Sequence, residues 1–506
     1  MKRITFLLIM VCFMAVVNAQ DITDGLRYSM DDTNGTARFN ALSGAFGALG
    51  GDFSAIAINP AGSAVFLTNG ATVSLGLHDR ENNASYFNSS AKSFDTDVTL
   101  NQAGIVFVFN NATEDSSWKK FTLGLNFNND KNYDDELFIA GTGNTSIGEF
   151  FLANAQGIPL ELLQLQGGET ISDLYAYLGE TQGSAAQNAF LGYQGYIFDP
   201  MDPNDTQNTQ YMSNITDGSF NQEYIALQRG FRGKYTLNFA AQYTEDFYFG
   251  INLNSHSIDF DKSTYLYESN SNAGSLVRQV GFENNLSVLG AGFSAQFGGI
   301  MKVADNLRFG LTYDTPTWYV ISEETTQYLE TVRVEDGSSI SEIIDPRIIN
   351  VYEDYNLRTP GKIAASAAYI FEKQGLLSFD YSYKDYSQIQ FRPSNDPFFV
   401  IENLNINNAL KGASSYKIGG EYRINELSLR GGFRFEESPY KNGTTVGDLQ
   451  GFSAGLGYNF GNYTFDLSYA RAEQSRERQL YKVGLTDTAS INTITSNFIF
   501  TLGFNL

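Results

Sequence analysis

From residue 70 onward the sequence repeats with period two: apolar or aromatic side chains occupy alternate positions, and small or polar residues fill the positions between. Phe121, Leu123, Leu125 and Phe127 alternate with Thr122, Gly124 and Asn126, and Phe247, Phe249, Ile251 and Leu253 alternate with Tyr248, Gly250, Asn252 and Asn254. Leu377, Phe379, Tyr381 and Tyr383 are interleaved with Ser378, Asp380, Ser382 and Lys384; Phe498, Phe500, Leu502 and Phe504 with Ile499, Thr501, Gly503 and Asn505. This is the side-chain period of a β-strand and does not fit a helix. In water, a face carrying Asp380 and Lys384 makes a poor core and a face of bare phenylalanines a poor surface. With lipid outside and a polar lumen inside, both faces are satisfied.

Composition supports the same environment. Forty phenylalanines, thirty tyrosines and 48 glycines accompany two tryptophans and two histidines. No segment after the N-terminus approaches the roughly 18 consecutive apolar residues of a membrane helix, so any crossing is by strands. The net charge of -23 excludes a general nucleic-acid surface, which needs concentrated Lys and Arg. Lys2 and Arg3 precede an apolar run from Ile4 to Val17, and Val17-Asn18-Ala19 supplies small residues for cleavage, so residues 1–19 read as a secretory signal peptide. The next residue is Gln20 rather than the cysteine of a lipoprotein, and the sole cysteine, Cys12, falls in the removed segment; the mature chain is expected to carry no disulfide and no Cys-ligated metal.

Period-two segments lie near 70–78, 101–110, 120–128, 235–244, 247–262, 284–300, 307–320, 360–371, 375–386, 414–424, 426–436, 450–460, 462–473 and 493–506, fourteen in all. Long connections near 79–100, 129–234, 263–283, 321–359, 387–413, 437–449 and 474–492 alternate with short ones near 111–119, 245–246, 301–306, 372–374, Asn425 and Gly461. Short periplasmic turns and long external loops are the pattern of outer-membrane barrels. The expected fold is all-β, a 14-stranded antiparallel transmembrane β-barrel over 70–506 in a Gram-negative outer membrane. Trp318, Tyr319, Tyr265, Tyr267, Tyr381 and Tyr383 lie toward strand ends, as anchors at the lipid headgroups.

The connection 129–234 is long enough to fold by itself. Ile171, Leu174, Tyr175 and Leu178 follow helical spacing, and Phe150, Phe151 and the run Leu160-Glu161-Leu162-Leu163 suggest a second amphipathic helix. These helices either cap the barrel and bury their stripes on one another or form an apolar landing site, with Phe150, Phe151, Leu174, Tyr175 and Leu178 as capture residues. Residues 20–69 lack strand rhythm and are dense in Gly, Ala and Phe, so they read as a plug in the lumen. Within them Asn59-Pro60 favours turn initiation.

That plug carries a family resemblance. Gly44-Ala45-Phe46, Gly51-Asp52-Phe53-Ser54-Ala55 and Asn59-Pro60-Ala61-Gly62, just ahead of the first strand, resemble the FadL/TodX (OMPP1) family of outer-membrane transporters for long-chain fatty acids and aromatic hydrocarbons, in its Bacteroidetes-type variety. The resemblance covers the chain in architecture and about 25 residues in motif. It implies a monomer whose N-terminal hatch blocks the lumen, an external hydrophobic groove that captures ligand, and a sideways exit at a kinked strand. It assigns gating to the hatch residues Asn59, Pro60 and Ala61. Passive uptake of a hydrophobic small molecule, without cofactor, is the function implied, with outer-membrane lipid and lipopolysaccharide as surroundings.

Other features carry structural readings. Strand alternation points Arg430 and Arg434 into the lumen with Asp380, Lys384, Glu421, Arg423 and Asp466, a network expected to hold the plug. Between 129 and 235 there are fourteen Asp or Glu against four Lys or Arg, which reads as a solvated face and makes a carboxylate ligand less favoured than a hydrophobic solute in general. Catalysis is not expected. His78 has no partner motif, and Ser255 points to the opposite face of the strand from His256. Asp202-Pro203-Asn204-Asp205-Thr206 lacks the spacing of a calcium loop, so no metal is expected. The alternatives are a porin-like channel for polar solutes and a surface binding or adhesion barrel.

Overall fold

The computed structural model describes residues 21–113 and 115–506. The expected signal peptide, with Cys12 and Gln20, lies outside these residues. The period-two segments pair in sequence order into one closed antiparallel barrel of fourteen strands. They are β1 (Gly70–Tyr86), β2 (Ser89–Asn110), β3 (Trp118–Asn132), β4 (Phe220–Tyr243), β5 (Phe247–Ser269), β6 (Val277–Ala304) and β7 (Leu307–Asp314, resuming at Trp318–Glu335). Then follow β8 (Tyr355–Arg358, resuming at Lys362–Phe371), β9 (Gly375–Asp385), β10 (Gly412–Ile424), β11 (Leu427–Glu436), β12 (Val446–Asn459), β13 (Tyr463–Gln479) and β14 (Thr488–Asn505). Closure comes from β1 against β14, in register from Gly70↔Asn505 to Ser85↔Ser490. Ladders between neighbouring strands give backbone polar groups partners where the lipid offers none.

The outward residues of each strand form the lipid face. Phe249 is 50% exposed and Leu311 63%, while their neighbours Tyr248 and Thr312 are buried inside. At the top, the strands continue well past this band. The stretch 79–100, expected as a loop, is the tip of a hairpin that turns only at Phe87 and Asn88, and β5, β6, β13 and β14 also extend into segments expected as loops. Once a strand leaves lipid, neither face must be apolar, so the alternation that marked it disappears. Tyr319 is likewise not an anchor. Strand β7 breaks at Thr315-Pro316-Thr317, opposite a break in β8 at Thr359-Pro360-Gly361, and the extra residue turns Tyr319 inward while Trp318 faces out.

Strand β3 departs from the simple barrel. It pairs with β2 only from Gln102↔Asn128 to Asn110↔Lys120. Above that it follows β4, and its continuation Asp135–Gly143 stays paired to β4 up to Gly143↔Phe220. Among the described residues the upper half of β2 is therefore laddered to β1 on one side and to no strand on the other.

Residues between this continuation and β4 form a compact cap. It comprises helices Gly148–Ala155, Ile171–Thr181 and Ser184–Gln194 with a short ribbon of Phe198–Pro200 against Tyr211–Ser213. The Leu160 run is a single 3-10 turn, Leu160–Leu162, because Pro159 starts it and nothing extends it; the helix over Ser184–Gln194 was hidden by its small residues. Phe150, Phe151, Leu174, Tyr175 and Leu178 are all buried in one cluster with strand-top residues such as Phe282 and Leu329. The Glu268 carboxylate at the top of β5 accepts from the Ile147 N–H at 2.7 Å and from Gln222 at 2.7 Å, which fixes the start of the first cap helix.

Phe151 is fully buried and packs edge-on to Phe282, ring centroids 4.9 Å apart. Phe151→Ala is expected to cost about 3–5 kcal/mol locally. Limited proteolysis should then cut within 144–219 much faster while the barrel stays intact; unchanged cleavage would show that the cap does not depend on this cluster.

Candidate functional site

The lumen holds residues 21–69. Helices α1 (Ile22–Arg27), α2 (Ala37–Ala41) and α3 (Ala55–Ile58) are each under two turns long, and a 3-10 segment, Pro60–Val65, completes the hatch. Such short helices are not stable alone, so the wall must supply what holds them. It does so in two ways.

On the side of β2 to β6, side-chain amides grip hatch carbonyls. Asn238 donates to Pro60 O at 2.9 Å and to Asn252 at 2.7 Å; Asn252 donates to Ile56 O at 2.8 Å and to Gln296 at 2.7 Å; Gln296 donates to Ala57 O at 2.8 Å. Gln102 and Asn126 extend the row to Phe53 O. Asn59 is fully buried, donating to Gly47 O at 2.7 Å and Gly299 O at 3.1 Å, while its Oδ1 accepts from Ala61 N. The wall makes room with glycines: a Cβ on Gly250 would stand 2.3 Å from the Pro60 carbonyl carbon, and one on Gly298 2.0 Å from Asn59 Oδ1. Asn59, Pro60 and Ala61 thus sit in a notch cut into the wall.

On the opposite side the contacts are charged. Glu421 accepts from hatch Arg38 at 2.8 Å and from Arg430 at 2.8 Å; Arg430 also reaches Asp466 at 2.5 Å, and Arg423 pairs with Glu421 at 2.6 Å. Asp380 accepts the N–H groups of Phe46 and Gly47 at 3.0 and 2.9 Å, and Arg434 bonds hatch Thr33. Arg430, Arg434, Glu421 and Asp380 thus touch residues 21–69 directly or through one neighbour. Within the hatch, burial pushes the Asp52 carboxyl above its ordinary range although Arg38, Ser54 and Thr36 favour its charge. Burial would also raise Asp21, but Lys482, 2.7 Å away, and Arg27 outweigh it and hold that carboxyl at about 2.

Above the rest of the hatch, α1 closes the mouth. Leu26 and Tyr28 pack with Phe260, Ile321 and Phe391 in a second apolar cluster. Below it lies a polar chamber of about 60 Å³. There Asp31 pairs with Arg232 and with Lys384 at 3.4 Å, Lys234 with Asp130 at 3.3 Å, and Lys362 with Asp314 at 3.0 Å. His256 Nε2 meets Ser294 Oγ at 2.8 Å across the β5–β6 ladder, a contact the sequence did not reveal because the partner lies on another strand. Among the described residues its Nδ1 makes no hydrogen bond.

An apolar concavity of about 660 Å³ opens on the lipid side where β3 leaves β2. Ile105, Leu125, Phe127, Leu237 and Phe293 line it, and Asn126, Thr236 and Asn254 form its inner wall. Above it, the free edge of the β3 continuation abuts the inner face of the β1–β2 hairpin. Ser93 Oγ donates to Glu136 O at 2.7 Å and accepts from Phe138 N at 3.2 Å, and Asn82 donates to Asp135 at 2.7 Å. Arg80 and Arg476 also pair with Asp135. The barrel closes here edge-to-face, through side chains rather than a ladder.

This barrel has known counterparts. Residues 236–505, more than half of the chain, match the model of a family described as outer membrane protein transport protein (OMPP1/FadL/TodX). The chain belongs to that family. A crystal structure of a Pseudomonas aeruginosa FadL homologue is similar at a TM-score of 0.52 and 11% identity, covering 94% of this chain and 99% of that one. The P. putida toluene transporter TodX is similar at 0.50 and 13% identity, with 94% and 99% covered. At these identities the likeness is one of fold. No curated protein matches by sequence. The OMPP1/FadL/TodX proteins are outer-membrane transport channels for hydrophobic compounds, not enzymes, and the 14-stranded barrel places this chain in the outer membrane with them.

Because the notch at Gly250 admits no side chain, Gly250→Val should unseat the Asn59-Pro60-Ala61 segment while the lipid face stays unchanged. The expected result is a barrel that still assembles but conducts ions several-fold better in planar bilayers; wild-type conductance in a folded variant would show that the notch does not hold the hatch.

Proposed function

We propose that this chain carries hydrophobic small molecules passively inward, taking them up at the cap and delivering them sideways through the wall at β3. The observation that carries this reading is the contrast between two paths. Straight down the axis, a solute meets an apolar mouth cluster, then paired charges, then amides occupied by the hatch. Sideways, an apolar concavity of about 660 Å³ opens to lipid. An apolar solute gains roughly 25 cal/mol for each Å² it buries and nothing in a chamber of ion pairs.

Capture falls to the external cap. Phe150, Phe151, Leu174, Tyr175 and Leu178 act there as the buried frame that gives the capturing surface its shape, and exposed residues of the cap and neighbouring β7–β8 loop, such as Tyr177, Ile343 and Val351, offer the contact. Asn59, Pro60 and Ala61 act as the gate, because their segment bridges the amide row and the wall beside the concavity. Long-chain fatty acids and aromatic hydrocarbons are the two solute classes proposed; the toluene transporter shares the fold, and the acidic cap favours the uncharged class.

Uptake of a labelled long-chain fatty acid and of an aromatic hydrocarbon by cells with and without the protein tests the reading. Saturable, protein-dependent uptake of either is expected. Filling the concavity with Ile105→Trp and Leu237→Trp should lower that uptake at least several-fold with normal assembly; undiminished uptake would remove the lateral route. Failure to bind either solute, together with large ion conductance, would make the protein a porin.

A further inference from the structure

One segment of the wall is not a strand. After β9 ends at Asp385, the chain makes a 3-10 turn and a short strand, Gln390–Arg392, that pairs with β8 from Asn356↔Arg392 to Arg358↔Gln390. Strand β10 does not follow it, since its pairing with β9 stops at Asp385↔Gly412. The place beside Gln390–Arg392 is taken by a helix, α4 (Pro397–Ala409), which sequence periodicity missed. Asn403 of this helix imitates the absent strand: its Oδ1 accepts from Phe391 N at 2.8 Å and its Nδ2 donates to Phe391 O at 3.0 Å. Phe399 and Ile406 turn into the mouth cluster with hatch Leu26 and Tyr28.

Both ends of this helix are tied to the upper edge of the lipid face. Three residues beyond its C-terminus, Gly412 lies against the ring of Tyr383, an exposed aromatic of β9, and Lys441 holds the last turn through Asn407 O at 2.8 Å. Before its start, Arg392 pairs with Asn356, and Asn356 with Val320, which is half exposed on the lipid face next to Trp318. A thirteen-residue helix spans about 20 Å, so one anchored at both ends to this rim lies along it rather than standing away. On the side opposite Phe399, Asn403 and Ile406 are Val400, Ile401 and Leu404, exposed at 41%, 58% and 58%. Asn405, Asn407 and Asn408 lie among them, the mixture of apolar and uncharged polar groups suited to the headgroup boundary.

We infer that the helix Pro397–Ala409 is an interfacial segment of the barrel wall whose outward face, Val400, Ile401 and Leu404, is covered by lipid of the outer leaflet. Its continuity with the lipid band through Val320 and Tyr383 identifies the occupant, and its inner face ties that lipid contact to the hatch helix over the mouth.

The test uses the full chain with its two tryptophans, Trp118 and Trp318, replaced by Phe, reconstituted in nanodiscs of phosphatidylcholine or its dibrominated form. Val400→Trp and Leu404→Trp should each lose at least half of their fluorescence in brominated lipid and resist iodide. A control, Tyr177→Trp on the exposed face of the cap, should respond to iodide and not to brominated lipid. Quenching of the two helix variants by iodide, or shielding from both agents, would overturn the assignment.

Discussion

The constraint on which everything else depends is that a backbone polar group in lipid must find its partner within the protein. All fourteen neighbouring strand pairs form ladders, and β1 with β14 closes the ring from Gly70↔Asn505 to Ser85↔Ser490. The wall departs from this where Asn403 stands in for a strand beside Gln390–Arg392, and at β2 with β3, whose ladder covers only the lower half. There the edge of β3 turns inward, and its carbonyl and N–H groups are met by Ser93 and Asn82 from the face of the neighbouring hairpin. A seam bonded by side chains is more easily altered than a ladder, and it sits directly above the one apolar concavity described in the wall. The architecture that satisfies the lipid elsewhere is thus relaxed beside the concavity through which we propose the route runs.

The interior obeys a related rule. A buried carbonyl without a partner costs about 1–3 kcal/mol, and the hatch, built from helices too short to satisfy themselves, presents many. Asn126, Asn238, Asn252 and Gln296 answer them from strands that had to be polar on that face anyway. Glycines at 250 and 298 bring the two backbones close enough for it to work. On the far side the Asp380 and Glu421 carboxylates accept from the Phe46 and Gly47 N–H groups and from the Arg38 guanidinium.

How much of this was legible in the sequence depends on what lipid writes into it. Where a strand crosses the membrane, its outer face must be apolar, and Phe247 to Leu253 or Phe498 to Phe504 could be assigned from that alone. Where the same strands rise into water the signal ends, so residues 79–100 look like a loop although they are a hairpin. The inward direction of Arg430, Glu421, Asp380 and Arg434 followed from alternation. Their partners did not, because contact between Glu421 and Arg38 is a matter of three-dimensional closure. The break in β7 was marked by Pro316, yet its effect on Tyr319 required knowing that Pro360 breaks the neighbour at the same height. The departure of β3 left no mark, since Asn128 to Asn132 are as compatible with a ladder as with its loss.

The amide row has one more consequence. It recognises the hatch through backbone carbonyls of Phe53, Ile56, Ala57 and Pro60, groups that every residue carries, and it involves no net charge. Its grip is therefore indifferent to which side chains the hatch carries at those positions, whereas the opposite side reads one particular hatch residue, Arg38, through the buried Glu421 carboxylate.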